Sequence, residues 1–574
     1  MSAEAPGWTR SVWVHSFVLL GLLVALVPII GLRGQTLNDE GAAMAQVQLL
    51  NQHHTWFMPN PFPEADPDGS AFPLDRSTQG EHGFAPLIKH PAYPVLLAGA
   101  DRLGGRFGIV VLGILGTVMA AVSAALIARE IRPELALPTF WITGLFSPLF
   151  FDAFIVVAHS IAAAGAGIAA LGLVRWLRHR SRSGLVMSFA GIAWVTALRN
   201  EGLLLGIALG GAVVAQALLV RRKDLGPRRP TWWLGPAVVG AAALAFALDR
   251  FAGRLLTPTT LPSTLSATST TGGYLADRVD AFILTWLLPG YASSPDPIVG
   301  PILVVVFTAL LALQLRKTRP DRGLCIVAIV GMWAGALYWV VFTSVGIVPG
   351  ILMAFPLLAV AIVAWKRPRV TDTPVVVLAI AVSLFALGVL ATTYRVGGTT
   401  EWGSRYLAIG IPLATPLIAL TLERSYRRLP DPRRVLAVLA AVPLAIAPAV
   451  VSVTSLRAAH KFSAVRIADE VADHVHDTTP GDGGKPVVVT DMLYLPRIAW
   501  RDLDQARWLA ADDERLSELV VRLHGLGIEE FLFITDETRP RVGGGYDLVD
   551  CVRQSRQSSP WSICRAIRAP VDHP

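Results

Sequence analysis

Charged residues are sparse in this chain, and those with the right types and spacing for chemistry fall in a few short motifs. The earliest is Thr36-Leu37-Asn38-Asp39-Glu40-Gly41-Ala42-Ala43-Met44, two adjacent acids opening an apolar-rich helix that runs to about Leu50. A carboxylate in such a place can take a proton from a hydroxyl, which is worth about 10² to 10⁴-fold in rate. The structural alternative is capping: Asn38 or Asp39 caps the helix, and Glu40 favours its positive end. The second motif is Lys89-His90-Pro91-Ala92-Tyr93-Pro94, an amphipathic segment with a cation at its start. Lys89 there is either a phosphate contact or a side chain snorkelling beside lipid headgroups.

Two further motifs carry arginine: Arg199-Asn200-Glu201-Gly202 and Glu401-Trp402-Gly403-Ser404-Arg405-Tyr406-Leu407. Guanidinium grips phosphate oxygens with two parallel hydrogen bonds, so an anionic ligand is one partner for Arg199 and Arg405. Internal carboxylates, Glu201 or Glu401, are the other. Asp152 and His159 stand in apolar surroundings, where an ionisable group is a functional candidate or a satisfied structural hydrogen bond. His53-His54 and the acids Glu64, Asp66 and Asp68 lack the spacing of a zinc or calcium site, so no metal is expected. Asp66-Pro67-Asp68-Gly69-Ser70 reads as a turn. Gly543-Gly544-Gly545 reads as a hairpin tip, not as a loop cradling phosphate ahead of a helix.

The elements that must position these motifs are membrane helices. Only 16% of the 574 residues are charged, against roughly 25% for a soluble chain, and the mean hydropathy is +0.52. A crossing helix needs about 20 apolar residues. About thirteen spans are read on that basis, at 12–32, 106–128, 136–152, 154–174, 185–198, 202–220, 233–250, 298–315, 324–343, 347–365, 374–393, 406–422 and 435–455. The first has no clear cleavage site and reads as a retained span.

With a cytoplasmic N-terminus, the cytoplasmic loops become Arg129–Arg132, Arg175–Arg182, Arg221–Arg229, Arg316–Arg322, Lys366–Arg369 and Arg424–Arg434, all short and basic. The opposite loops are longer and poor in Lys and Arg, so one orientation satisfies the charge rule at every step. The net charge of +8 thus reports orientation in a plasma membrane and not a nucleic-acid partner.

Residues 1–455 form a transmembrane module on this reading, with outer loops at 33–105 and 251–297, and 456–574 form an outer tail. In the tail, Pro486–Asp491 and Phe531–Thr535 read as strands and Asp512–Gly525 as an amphipathic helix, hence a small α/β domain. Cys551 and Cys564 could pair if the tail is exported. The Ser/Thr/Pro-rich stretch Leu256–Gly273 is either a lid ordering over a bound donor or a plain connector.

The order of these pieces resembles the GT-C glycosyltransferases that use polyprenyl-phosphate sugars, with the protein mannosyltransferase and aminoarabinose branches nearest. Asp39-Glu40-Gly41-Ala42-Ala43 resembles the family's acidic opening of the first outer loop. Lys89-His90-Pro91-Ala92-Tyr93 resembles its Lys-Pro-Pro-Leu-Tyr segment, with His90 departing from the usual Pro. Arg199-Asn200-Glu201-Gly202, Ser147-Pro148-Leu149-Phe150 with His159, and Gly403-Ser404-Arg405-Tyr406 resemble later family motifs. The resemblance covers residues 12–422.

It implies transfer of a sugar such as mannose or arabinose from a lipid-phosphate donor to an acceptor hydroxyl, with inversion. The acceptor would be a cell-wall glycan, a glycolipid or a protein, and no cofactor is implied. Asp39 would be the base and Glu40 its support. Lys89, Arg199 and Arg405 would face the phosphate, with His90, Tyr93, His159, Glu201, Trp402 and Tyr406 lining the donor site. The aromatic residues could equally be an interfacial belt. A transporter or flippase of lipid-linked sugars and a non-catalytic envelope-assembly protein are the competing functions. A transporter would place its charges near mid-membrane, whereas here they gather at the outer ends.

Overall fold

The computed structural model describes residues 7–32, 38–74, 78–80, 83–87, 89–222, 232–256, 274–287, 296–317, 319–342, 350–392, 402–462, 464–477, 484–537, 540–554 and 561–569. Glu401 and the stretch 257–273 lie outside them. The chain is a polytopic α-helical membrane protein with a small α/β domain near its C-terminus. It divides into two compact units, one of Met1–Leu32, Leu103–Ala252 and Pro262–Arg457, the other of Arg33–Arg102, Gly253–Leu261 and Ala458–Pro574. The units thus do not follow a cut at 455: Arg33–Arg102 belong with Ala458–Pro574.

Among the described residues, nine helices are long and apolar enough to cross a membrane: Val12–Ile30, Ala92–Ile131, His159–His179, Glu201–Val220, Leu234–Leu256, Arg322–Phe342, Thr373–Thr392, Arg405–Arg427 and Arg433–His460. Arg182–Leu198 and Val299–Gln314 are shorter apolar helices. Two expected spans are not continuous. The run 136–152 is split into Ala136–Gly144 and Leu149–Asp152, and 347–365 into Ile351–Ala354 and Pro356–Ala364. A proline stands at each break, Pro148 and Pro356, where it removes a backbone donor and restricts the residue before it. Hydropathy alone does not register such breaks; with the two shorter helices, they make up the difference between about thirteen expected spans and nine long helices among the described residues. The helix Ala92–Ile131 leaves helical geometry at Gly104 and at Gly105, whose φ of 58° suits glycine.

In the membrane unit, small residues bring backbones together. A Cβ on Gly116 would lie 2.7 Å from the amide nitrogen of Ile161, and one on Gly172 2.4 Å from the carbonyl of Gly184. Gly191 meets Ala169 in the same way, at 2.6 Å. Close approach of this kind is how helices associate in lipid, where apolar burial supplies little drive between them. At one end of the bundle, basic and acidic groups from separate loops pair. Glu130 takes Arg175 at 3.4 Å and His179 at 2.9 Å, Arg132 meets Glu423 at 3.2 Å, and Arg424 lies 4.0 Å from Asp372. These are loops or loop edges that the charge pattern assigns to a common face.

The second unit is built on a mixed five-stranded sheet. Its strands β3 (Val487–Thr490), β4 (Arg507–Ala510), β5 (Glu530–Thr535), β6 (Tyr546–Gln554) and β7 (Trp561–Arg568) follow β1 (Thr78–Gly80) and β2 (Gly83–Ala85), which form a separate hairpin. The sheet order is β4-β3-β5-β7-β6, parallel over β4, β3 and β5 and antiparallel over β5, β7 and β6. The helix Asp513–Gly525, capped by Asp512, connects β4 to β5. The expected strands and helix of the tail are therefore present. Gly543-Gly544-Gly545 is corrected from a hairpin tip to the turn that feeds β6, because β5 pairs with β7 and not with β6. Cys551 and Cys564 are joined, tying β6 to β7.

Alternation along β3 sends Val487 and Val489 to one face and Val488 to the other, so both faces must be covered. The segment Arg33–Arg102 helps to cover both. Phe62, Ala65 and Ala71 pack with Leu516, Val520 and Phe533 on one side. Leu49, Met58, Phe72, Leu74 and Phe84 pack with Trp508, Ile534 and Trp561 on the other. The Ala510 amide at the end of β4 donates to the Ala71 carbonyl at 2.9 Å.

Candidate functional site

The residues singled out above form two groups, one in each unit. In the membrane unit, His159 opens the helix His159–His179, Glu201 opens Glu201–Arg222, and Arg405 and Tyr406 lie in the 3-10 turn Arg405–Gly410. The fold brings these distant stretches together. Arg199 clasps Glu201 with two parallel bonds, Nε to Oε2 at 3.1 Å and Nη2 to Oε1 at 2.9 Å. Its remaining Nη1 stands 2.5 Å from Nε2 of His159. Arginine only donates, so this ring nitrogen accepts and the imidazole proton resides on Nδ1. Nδ1 in turn lies 4.0 Å from Oδ2 of Asp152, and both residues are wholly buried. Sequence reasoning noted Asp152 without assigning it a partner.

Tyr406 draws in the second cation. The guanidinium of Arg199 is 5.8 Å and that of Arg405 4.9 Å from the centre of its ring, and Arg405 donates to its hydroxyl at 3.0 Å. Two guanidinium groups thus stand near one aromatic ring, one of them already paired with Glu201. The backbone before Arg405 is turned by Gly403 (φ 70°) and Ser404 (φ 61°), the second an uncommon conformation for a residue with a side chain. A Cβ on Gly403 would fall 2.4 Å from Cγ of Pro148, so this glycine seats the late motif on the Ser147-Pro148 break. Trp402 is buried between Phe151 and Trp339, at 5.2 and 6.4 Å between ring centres. Asn200 adds a contact that sequence reasoning missed, accepting from Arg250 at 3.1 Å.

In the second unit, Asp39 and Glu40 occupy the first turn of the helix Asn38–Gln48. Their environments differ sharply. The Asp39 side chain is 52% exposed, whereas Glu40 is 1% exposed. Gln46, on the same helix and wholly buried, donates to the Trp56 carbonyl at 3.1 Å and accepts from the Leu87 amide at 3.2 Å. It thereby ties the acidic helix to the stretch leading to Lys89. Lys89 is exposed, His90 half-buried and Tyr93 buried, with the Tyr93 amide donating to the His90 carbonyl at 3.0 Å as the next helix begins. Arg497, from the tail, reaches Asp39 at 3.7 Å. No motif in the sequence pointed to it, since the pairing depends on loop and tail folding together.

No family model matches the chain, and no curated protein matches it. Among solved structures it is similar to ArnT from Cupriavidus metallidurans bound to undecaprenyl phosphate, at 13% identity and a TM-score of 0.49 over 98% of each chain. It is also similar to the Archaeoglobus fulgidus oligosaccharyltransferase tethered with an acceptor peptide, at 13% identity and a TM-score of 0.45 over 92% of this chain and 69% of that one. The same organism's AglB, in complex with an inhibitory peptide and a dolichol-phosphate, is similar at 14% identity and a TM-score of 0.44 over 92% and 70%. At these values the likeness is one of general build and transfers no residue role.

Proposed function

We propose that this chain is an integral membrane glycosyltransferase that moves a sugar from a polyprenyl-phosphate donor to a hydroxyl of an extracytoplasmic acceptor, with inversion. The observation that carries the reading is the gathering of Arg199, Arg405, His159 and Tyr406, from three remote stretches, at one end of an apolar bundle. The departing phosphate gains charge as its bond to the sugar breaks, and fixed cations stabilise that state more than the ground state. Arg405 is the principal phosphate ligand and Arg199, already clasped by Glu201, is its support; Lys89 is a further cation for the donor headgroup. Trp402, beside Arg405 in the chain, belongs to the donor site.

A lipid phosphate leaves as a stable anion and needs little acid help, so the acceptor proton is the main demand. Asp39 meets it: its side chain is 52% exposed, whereas Glu40 is buried and serves as support. Inversion follows when the hydroxyl attacks opposite the leaving phosphate. The active end faces outward from a plasma membrane, with the N-terminus cytoplasmic and the tail outside; the Cys551–Cys564 link supports export of the tail. The donor sugar is mannose, arabinose or a similar one, and the acceptor a cell-wall glycan, a glycolipid or a protein.

The test is transfer of radiolabelled mannose or arabinose from its polyprenyl phosphate into a cell-envelope fraction, using the full chain in proteoliposomes. Asp39→Asn is expected to lower transfer by about 10² to 10⁴-fold with expression intact. Transfer at the wild-type rate in that variant would rule out the assigned base.

A further inference from the structure

Arg497 lies in the short helix Leu495–Ile498, in the connection from β3 to β4. Its side chain is only 7% exposed, and its neighbours Leu495, Ala499 and Leu503 belong to the core beneath the sheet. Pro496 sets the start of this helix, where a fixed φ costs nothing. The guanidinium is thus rooted in a rigid part of the domain. It meets Asp39 with Nη1 at 3.7 Å from Oδ1, while the Asp39 side chain stays half-exposed. The distance is that of an ion pair and too long for a hydrogen bond.

We propose that Arg497 is a positioning residue for Asp39, so that the C-terminal domain takes part in transfer by holding the carboxylate that receives the acceptor proton. This rests on the role given to Asp39 above. In the step itself the acceptor hydroxyl gives its proton to Asp39, and its oxygen lone pair forms the new bond to the sugar carbon. The bond from that carbon to the phosphate oxygen breaks, and its electron pair leaves with the phosphate. Arg497 exchanges no proton and touches no reacting atom. A planar guanidinium, charged at all working pH, suits such a fixed task better than a flexible ammonium.

The experiment compares Arg497→Gln, Arg497→Lys, Asp39→Asn and the Asp39→Asn/Arg497→Gln double variant in the full chain, with polyprenyl-phosphate mannose and polyprenyl-phosphate arabinose as donor probes. Misplacing a reacting group by about 1 Å can cost about 10²-fold. Arg497→Gln is expected to lower kcat per folded molecule by that order, with the donor KM within about twofold of wild type. Arg497→Lys restores part of the loss, and the double variant is no slower than Asp39→Asn alone, as expected when one residue acts through another. A wild-type kcat in Arg497→Gln beside an inactive Asp39→Asn overturns the positioning role alone. So does a double variant whose loss is the product of the two single losses. Where Arg497→Gln and Arg497→Lys both melt early, an unchanged kcat per folded molecule overturns it as well. Full transfer by Asp39→Asn instead overturns the underlying reading of Asp39.

Discussion

The two units of this protein hold their candidate residues in opposite ways. In the membrane unit each polar group sits at the end of an apolar helix whose existence was plain from composition, and the groups meet because the helix ends meet. In the second unit the acidic helix is one wall of a domain assembled from segments some four hundred residues apart, as the Gln48–Asp504 bond with its sequence separation of 456 illustrates. The lesson is about robustness. A change at Arg405 removes a charge at the end of the bundle and takes nothing from its apolar packing. A change in the loop's apolar residues removes part of the core of the sheet domain.

Phe84 offers the largest test of that contrast. It stacks on Phe72 at 4.0 Å, with both rings in the core shared by loop and tail. Phe84→Ala is expected to destabilise the second unit by about 3–5 kcal/mol, the usual cost of such a truncation. Alkylation of Cys551 and Cys564 under mild reduction, and protease cleavage of the tail, should both rise. A tail as resistant as wild type would show that loop and sheet fold independently.

Arg405→Gln should give the reverse pattern. Loss of one preorganised donor at a developing charge costs about 10²–10³-fold in kcat. The thermal unfolding midpoint and the resistance of the tail should stay near wild type. A variant inactive only because it is unfolded would erase the distinction between the units.

The smallest effect concerns pH. Burial pushes the Asp502 carboxyl up, Asp469 adds to this, and Arg501 opposes it. A carboxyl raised in the folded state favours the protonated form. Its contribution to stability is complete below the unfolded value of about 3.9 and is lost as pH rises through the raised folded value. Asp502→Asn lacks that loss. Its melting midpoint should therefore fall less, or rise more, than that of wild type between about pH 4 and about pH 7. An identical slope in both proteins would show that Asp502 does not set it.

Legibility followed the range of the interactions. The span pattern, the basic loops and the tail's β3, β5 and connecting helix could be read because each depends on neighbours within about 20 residues. The interrupted runs at 136–152 and 347–365 could not, since a proline inside an apolar stretch leaves hydropathy unchanged while it breaks the backbone ladder. Arg199, Glu201, His159 and Arg405 were recognisable as candidates, and Glu201 was correctly named as one carboxylate partner of Arg199. Nothing local announced that His159 would take the remaining nitrogen of Arg199, or that Arg497 would face Asp39.

The sequence by itself determined that this chain crosses a membrane many times, which ends of its helices carry ionisable groups, and that an α/β domain follows the last span. Those properties reside in composition and in periods of two or 3.6 residues, which the chain displays along its length. Only the tertiary structure decided that Arg33–Arg102 fold with the tail, that Asp39 is half-exposed while Glu40 is buried, and that two arginines share one tyrosine ring. Burial and charge pairing are set by which surfaces meet, and that depends on contacts between segments whose separation along the chain carries no signal of their proximity.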